Sequence, residues 1–270
     1  MPIITISRGS ASGGLLLARG LAERLGYELV GREDIIQRAT RFGVSEAQLQ
    51  RALVSPVRFW DRFRHERRRY LAFVQEGLCE RAQDDRIIYH GNAGHLLLRG
   101  VSHVLCVRLI APPSYRIELA MERLHLGREE ALEFIEAEDR QRRQWTRFLY
   151  GVDWLDPSLY DLTINLQTLE LESAIQLAAL TAQRPEFQPT AESRRAMADL
   201  CLATRVRAAL AANRDTASAD VRVRAEGGVV YLGGRVRPLS MLDSILEVAA
   251  AVPGVARLDH ERLGAPDLTV

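Results

Sequence analysis

The chain has 270 residues, of which 47% are hydrophobic and 26% charged, and its formal net charge is +1. That is enough apolar material for one large or two smaller domains, and the near-neutral balance gives no global pull toward nucleic acid or a membrane surface. Cys79, Cys106 and Cys201 are isolated, so neither a CxxC metal pair nor a disulfide framework is expected. The amino terminus lacks a basic segment leading into a long apolar run, and no stretch of ~18 apolar residues is present. A cytoplasmic location is therefore expected.

The first expected strand, Ile3–Ser7, runs into Arg8-Gly9-Ser10-Ala11-Ser12-Gly13-Gly14, and a helix from about Leu15 to Leu25 follows, stopped by Gly26. Strand, Gly/Ser loop and helix in that order is the layout of a nucleotide-binding loop. Glycines let backbone N–H groups converge on an anion, and the helix N-terminus adds its dipole. Ser10 and Ser12 can donate to phosphate oxygens. A plain structural turn is the alternative. Such loops normally end in Gly-Lys-Ser/Thr, with the Lys on the phosphates and the hydroxyl on Mg²⁺. Here Gly13 is followed by Gly14, Leu15 and Leu16, and all 36 basic residues of the chain are arginine. Catalysis is then carried by Arg or is absent. Arg does hold phosphate well, through its planar fork.

Further on, helices are expected at Arg32–Phe42, Ser45–Leu53, Val57–Ala82, Ser114–Leu124, Arg128–Leu149 and Leu169–Ala182. Short apolar strands are expected at Arg86–His90, Val104–Ile110 and Leu162–Asn165. Their alternation predicts an α/β domain over 1–183, with a parallel sheet covered on both faces. Sites in such folds lie at the carboxyl ends of strands, where the loop and His90-Gly91-Asn92 fall. Arg58–Arg69 interleaves aromatics with arginine, which fits RNA or a base. The near-helical spacing of Phe59, Phe63 and Tyr70 fits a core stripe or a dimer interface better. No nucleic acid partner is expected. His90, His95 and His103 match no common ligand spacing, so no metal site is assigned; His90 is placed to touch phosphate or base. Glu138–Arg143 is an arginine-rich helical run in which Asp139 and Arg142 share a face. It reads as a mobile lid for phosphoryl transfer or as a solvated face of Glu–Arg pairs.

Residues 184–196 carry two prolines and mostly polar side chains, and read as a linker. After them come a helix at Ala196–Ala212, strands at Val221–Ala225 and Val229–Val236, a helix at Leu239–Val252 and a last strand near Val255–Glu261. This αββαβ order is expected to form a small antiparallel α/β module over about 197–263.

The motifs, taken together, resemble the cytidylate kinase-like family of P-loop nucleoside monophosphate kinases. "ITISR", "SGG" and "LAERLGYELVGRE" carry the start. "RIIYHGNAGHLLL", "VRLIAPPSYRIELAMERL", "EALEFIEAEDRQRRQW" and "DPSLYDLTINLQTLELESAIQLA" follow in the family's order. The resemblance implies ATP, with Mg²⁺, as phosphoryl donor and a CMP-type nucleoside monophosphate as acceptor. It places ATP phosphates on Gly9–Gly14, steadied by Arg8 and Arg116. Asp139, Arg140, Arg142 and Arg143 fall in the lid. Arg32, Arg38, His90, Asn92 and Asp161 fall on the acceptor side, and Asp161 offers the metal its one side-chain contact. Three departures are visible: Leu15 and Leu16 after Gly-Gly, Gly31 before Arg32-Glu33, and His90-Gly91-Asn92 where Gly-Arg-Gly is usual. Each removes a group that would face phosphate, metal or acceptor. A catalytically weak nucleotide sensor is therefore the rival reading. The C-terminal stretch, with Gly233-Gly234-Arg235-Val236 and Pro253-Gly254-Val255, resembles a BON domain. That implies a protein partner or self-association, with a membrane surface second.

Overall fold

The computed structural model describes residues 1–48, 64–91, 93–236 and 240–264. The chain forms two compact units, one from residues 1–34 with 84–190 and one from residues 35–83 with those from 191 onward. In the first unit lie β1 (Ile3–Arg8), β2 (Glu28–Gly31), β3 (Ile87–His90), β4 (Val104–Ile110) and β5 (Leu162–Asn165). Their order is β2-β3-β1-β4-β5, and every pairing is parallel. β1 is buried from Ile3 to Ser7 without alternation, because helices cover both faces of a parallel sheet. β2 was not foreseen. It is four residues long with only Val30 buried, too short to show a period.

Around this sheet stand α1 (Gly14–Leu25), the start of α2 (Arg32–Ala39), α4 (Gly94–Leu97), α5 (Pro113–Leu124), α6 (Arg128–Tyr150) and α7 (Leu171–Ala182). Leu17, Ala18 and Leu21 of α1 share one core with Ile4, Ile6, Leu105 and Val107 and with the alanine stripe of α7. β1 sits between β3 and β4, which follow it in sequence on opposite sides. The carboxyl end of β1 is thus a switch point, where a crevice opens for ligand.

The second unit pairs α3 (Arg64–Ala82) with α8 (Ala191–Ala212). Tyr70 and Phe73 share a cluster with Ala208, Arg207 donates to Gln75 at 2.8 Å, and the Cys201 thiol donates to the Cys79 carbonyl at 3.3 Å. Contacts that climb α3 as they descend α8 make the two helices antiparallel. α8 begins at Ala191 rather than Ala196, so the second part of the polar stretch is helical. β6 (Asp220–Glu226), β7 (Val229–Arg235), α9 (Met241–Ala250) and β8 (Arg257–Leu263) complete the unit. The order αββαβ holds, but the sheet is mixed: β7 is antiparallel to β6 and parallel to β8. Helix α9 carries the chain back before β8 enters, and such a crossover gives a parallel pair. The expected helix at Ser45–Leu53 and most of Arg58–Arg69 lie wholly or partly outside the described residues. Of that segment, Arg68 pairs with Asp220, and Arg69 stands 5.7 Å over the Phe73 ring.

Gly234 has φ +126°, and a Cβ there would lie 2.2 Å from the Asp220 carbonyl oxygen. Gly234→Ala is expected to destabilise the protein by about 2–4 kcal/mol, since both the backbone conformation and the strand spacing oppose a side chain. Chemical denaturation of the full-length variant checks this; an unchanged midpoint would remove the argument.

Candidate functional site

β1 delivers Arg8 and the loop to the switch point. Ala11 with φ 54° and Gly13 with φ 79° both adopt left-handed backbone and curl the chain into a concave turn of amides. Ser12 Oγ donates to the Gly9 carbonyl at 2.6 Å and braces the turn. Ala11 packs against Ile117, Ala120, Ala131 and Ile135 of α5 and α6, so the loop tip is anchored. Gly13 caps α1 with no side-chain acceptor, and the first turn of α1 carries no acid. The positive end of that helix dipole is left for a ligand. Ser10 Oγ is buried and has no hydrogen-bond partner among the described residues.

Helix α6 meets this loop directly. Asp139 Oδ1 accepts the Ser10 N–H at 2.9 Å, and its Oδ2 accepts Arg116 Nη2 at 2.6 Å. Arg116 Nε also donates to the Ser10 carbonyl at 2.8 Å. Arg142 Nη1 donates to the Arg8 carbonyl at 2.6 Å, and its guanidinium stands 5.4 Å over the Trp154 ring. Trp154 is itself held, because the Tyr160 hydroxyl donates to its carbonyl at 2.8 Å and contacts Ser7 Oγ at 3.1 Å.

Charge is concentrated here. Burial, reinforced by Arg142 and Arg32, lowers the pKa of Arg8 to about 9. Burial also lowers the pKa of Arg142, with Arg116 and Arg32 adding to the effect and Asp139 and Glu138 opposing it. His90, at the end of β3, is pushed down to about 3 by burial and then by Arg8, Arg142 and Arg123. Guanidinium groups from β1, α2 and α6 thus converge on one crevice. Buried like charges are stable only when an anion or carboxylate offsets them.

The predicted residues separate into distinct sets. Arg8, Gly9, Ser10, Ser12, Gly13, Gly14, Arg32, His90, Arg116, Asp139 and Arg142 come together at or around the loop. Arg143 does not point into it: it binds Asp153 through Nε at 3.0 Å and Nη2 at 2.6 Å. Arg140 is exposed and reaches Glu136 at 4.0 Å. Arg38 belongs to the second unit, where it pairs with Glu80 at 3.5 Å. Asp161 lies before β5 and accepts the Cys106 N–H at 2.7 Å, fastening the start of β5 to β4. Asn92 lies outside the described residues. The three histidines have separate surroundings: His95 packs on Tyr160 at 4.6 Å, and His103 meets Asp85 at 3.1 Å. Among the described residues no group of three His, Cys, Asp or Glu could hold a metal ion.

The sequence reading missed four aromatics. A Cβ on Gly13 would lie 2.9 Å from the Tyr115 hydroxyl. A Cβ on Gly91 would lie 2.2 Å from the buried Tyr89 ring, so Gly91 is demanded by packing. Trp154 and Tyr160 hold Arg142 and Ser7. An apolar cavity of about 410 Å³ between α5 and α6 adjoins the loop, lined by Pro113, Ile117, Leu132 and Ile135 with Arg116 and Asp139 at its polar edge.

Two family models match the chain. The model of the cytidylate kinase-like family matches residues 3–168, and that of the BON domain matches 198–262. A cytidylate kinase of Pyrobaculum arsenaticum is 25% identical over 180 residues, covering 66% of this chain and 91% of that protein. One from Ignicoccus hospitalis is 26% identical over 179 residues, covering 65% and 96%. The crystal structure of an uncharacterized protein from Eubacterium ventriosum shares the fold, with a TM-score of 0.52 at 18% identity, covering 67% of this chain and 97% of that one. No described helix is long and apolar enough to cross a membrane.

His90 and His95 have folded-state pKa values of about 3 and about 4, below the unfolded value of about 6.5. Between those limits the unfolded chain binds more protons, so stability falls as pH drops below 6.5. The expected loss is on the order of 1–2 kcal/mol per histidine by pH 5. Denaturation midpoints at pH 7 and 5 check this, and His90→Asn should flatten part of the slope. A midpoint independent of pH would refute it.

Proposed function

The chain belongs to the cytidylate kinase-like family, and from that premise we propose that it transfers the terminal phosphoryl group of ATP to a nucleoside monophosphate of the CMP type. The observation that carries the proposal is the convergence of Arg8, Arg32 and Arg142 on a loop whose Ser10 hydroxyl is buried and unpartnered among the described residues.

In this reading the loop amides and Ser10 Oγ bind phosphate oxygens. Arg8 takes the electrostatic part that a loop lysine plays elsewhere, and Arg142 faces the charge that develops on the transferring group. Phosphoryl transfer needs chiefly position and charge stabilisation, which arginines supply. Arg142 is preorganised by the Arg8 carbonyl and the Trp154 face, so it does not pay for ordering during the reaction. Arg32 and the neutral His90 line the acceptor side. The cavity between α5 and α6 offers apolar walls for the base of the donor. Mg²⁺, when bound, would screen and align the phosphates; with leucines following Gly14 and Asp161 tied to β4, its ligands would come from phosphate and water. The C-terminal module takes a protein partner or a second copy, with an anionic membrane surface as the other outcome.

A second reading, a nucleotide sensor of little or no turnover, draws on one observation: Asp139 already occupies the Ser10 amide. Calorimetric titration of Mg-ATP with and without CMP, followed by a turnover assay, separates the two. Binding tightened by CMP and consumption of ATP support the kinase; binding indifferent to CMP and without turnover supports the sensor.

Two substitutions probe the assignments. Arg142→Ala is expected to lower kcat/KM by about 10²–10³ with an unchanged circular-dichroism spectrum; full activity would sink the assignment. Asp139→Ala frees the Ser10 amide and loosens Arg116. The expected result is tighter ATP binding by calorimetry and a lower kcat. Weaker binding would mean that the carboxylate supports the loop rather than competing with phosphate.

A further inference from the structure

Two cysteines that lie far apart in the sequence meet in the second unit. Cys79 is near the end of α3 and Cys201 lies within α8; each is 1% exposed, and both are free thiols. The Cys201 sulfur lies 3.3 Å from the Cys79 carbonyl oxygen, which sets the two residues against each other between the helices. Their positions agree with the antiparallel register of the helices, which also sets Arg207 against Gln75. Neither sulfur touches the loop or its arginines, so the proposed phosphotransfer gives the pair no role.

We propose that Cys79 and Cys201 form a reversible oxidation site, closed to a disulfide by a hydroperoxide and reopened by a thiol. The two sulfurs are not equivalent. Interaction with Cys79, then with Gln83 and Arg205, lowers the pKa of Cys201, whereas the partnership with Cys201 and burial raise that of Cys79. Thiolate is the nucleophile, so Cys201 reacts first. Its sulfur attacks one peroxide oxygen, an S–O bond forms and the O–O bond breaks. The departing oxygen takes up a proton and leaves as water, and Cys201 becomes a sulfenic acid. The Cys79 sulfur then attacks the Cys201 sulfur. An S–S bond forms, the S–O bond breaks, and the hydroxyl leaves with the Cys79 proton as water. Two thiols lose two electrons in all, and one hydroperoxide becomes two waters when it is hydrogen peroxide. Because both sulfurs are buried, reaction follows local opening of the helix pair and is slow. The bond staples α3, which the chain inserts between β2 and β3, to the first helix of the C-terminal module. Cross-links between residues so distant in sequence restrict the unfolded chain strongly.

The test uses full-length protein treated with hydrogen peroxide, blocked with an alkylating agent and digested without reductant. The expected result is a linked pair of peptides containing Cys79 and Cys201 in a protein that remains monomeric. Cys106, in β4 with its thiol pushed up to about 12 chiefly by burial, should stay alkylated in its own peptide. The oxidised protein should melt several degrees higher, and dithiothreitol should restore the starting value. Cys106→Ser should keep the link, and Cys79→Ser should lose it and trap Cys201 as sulfenic or sulfinic acid. Cys79 and Cys201 recovered as separate alkylated peptides, a link to Cys106, or a bond between two chains would each overturn the proposal.

Discussion

Burial of like charge at the end of β1 is the constraint around which the first unit is built. Arg8 and Arg142 are both largely withdrawn from water; Arg142 adds to the lowering of Arg8, and Arg116 and Arg32 add to that of Arg142. Nothing apolar explains that arrangement, since desolvating a cation is costly unless something of opposite sign stands by. Asp139, Glu138 and Glu33 offset part of it. The remainder falls on the crevice where the positive end of α1 also points. An anion arriving there would relieve repulsion already present in the fold. His90 answers the same field from the other side: its imidazole is held neutral by burial and by the arginines. It can then accept or donate a hydrogen bond without adding charge.

Much of the architecture was legible because it rests on local pattern. β4 and β5 have the bounds expected from their apolar runs, and β1 and β3 differ from expectation by one residue. The loop was legible from Gly and Ser alone. β2 was not, because one buried residue in four makes no period. The site was legible where a residue's place in the strand–loop–helix unit decides its direction, as for Arg8, Ser10 and Gly13. It was not legible where partners come from elsewhere in the chain. Arg143 was grouped with Arg142, yet one residue along a helix turns the side chain by roughly 100°, and Arg143 faces Asp153 instead. Trp154 and Tyr160 carry no motif; only the fold brings them under Arg142 and beside Ser7.

The second unit shows how chain order and compactness part company. Residues 35–83 interrupt the segment that builds the sheet, and they share a compact unit with the residues after 190. The sequence gives no sign of this, because both segments look like ordinary amphipathic helices. The reason lies in the face that α3 presents. Tyr70 and Phe73 are buried, and their cluster includes Ala208 of α8 together with Ile36 and Val44. Small residues along α8 let the helices come close enough for the Arg207–Gln75 and Cys201–Cys79 contacts. The C-terminal module is therefore joined to residues that stand early in the chain by a buried helix pair, not merely by the connection at 184–190. What happens at that module has a packed route to the inserted segment.

The missing lysine looks different once the loop is seen in space. A Cβ on Gly14 would lie 2.7 Å from Arg8 Cγ and 3.0 Å from its Cδ. The Arg8 side chain crosses the backbone at the position where the loop enters α1, and only glycine leaves room for it. A long side chain at that position and the present course of Arg8 exclude each other. A guanidinium on the strand before the loop thus stands where a side chain at Gly14 would otherwise lie. A guanidinium held on a strand is more rigid than an ammonium on a flexible loop stem, and its planar fork suits two phosphate oxygens at once. Rigidity has a cost as well. Arg8 is held by partial burial and by its contact with the Gly91 carbonyl at 3.4 Å, so its guanidinium has little room to shift. Asp139 and Arg142 of α6 also touch the loop. An anion that takes the Ser10 amide would have to displace Asp139 from it.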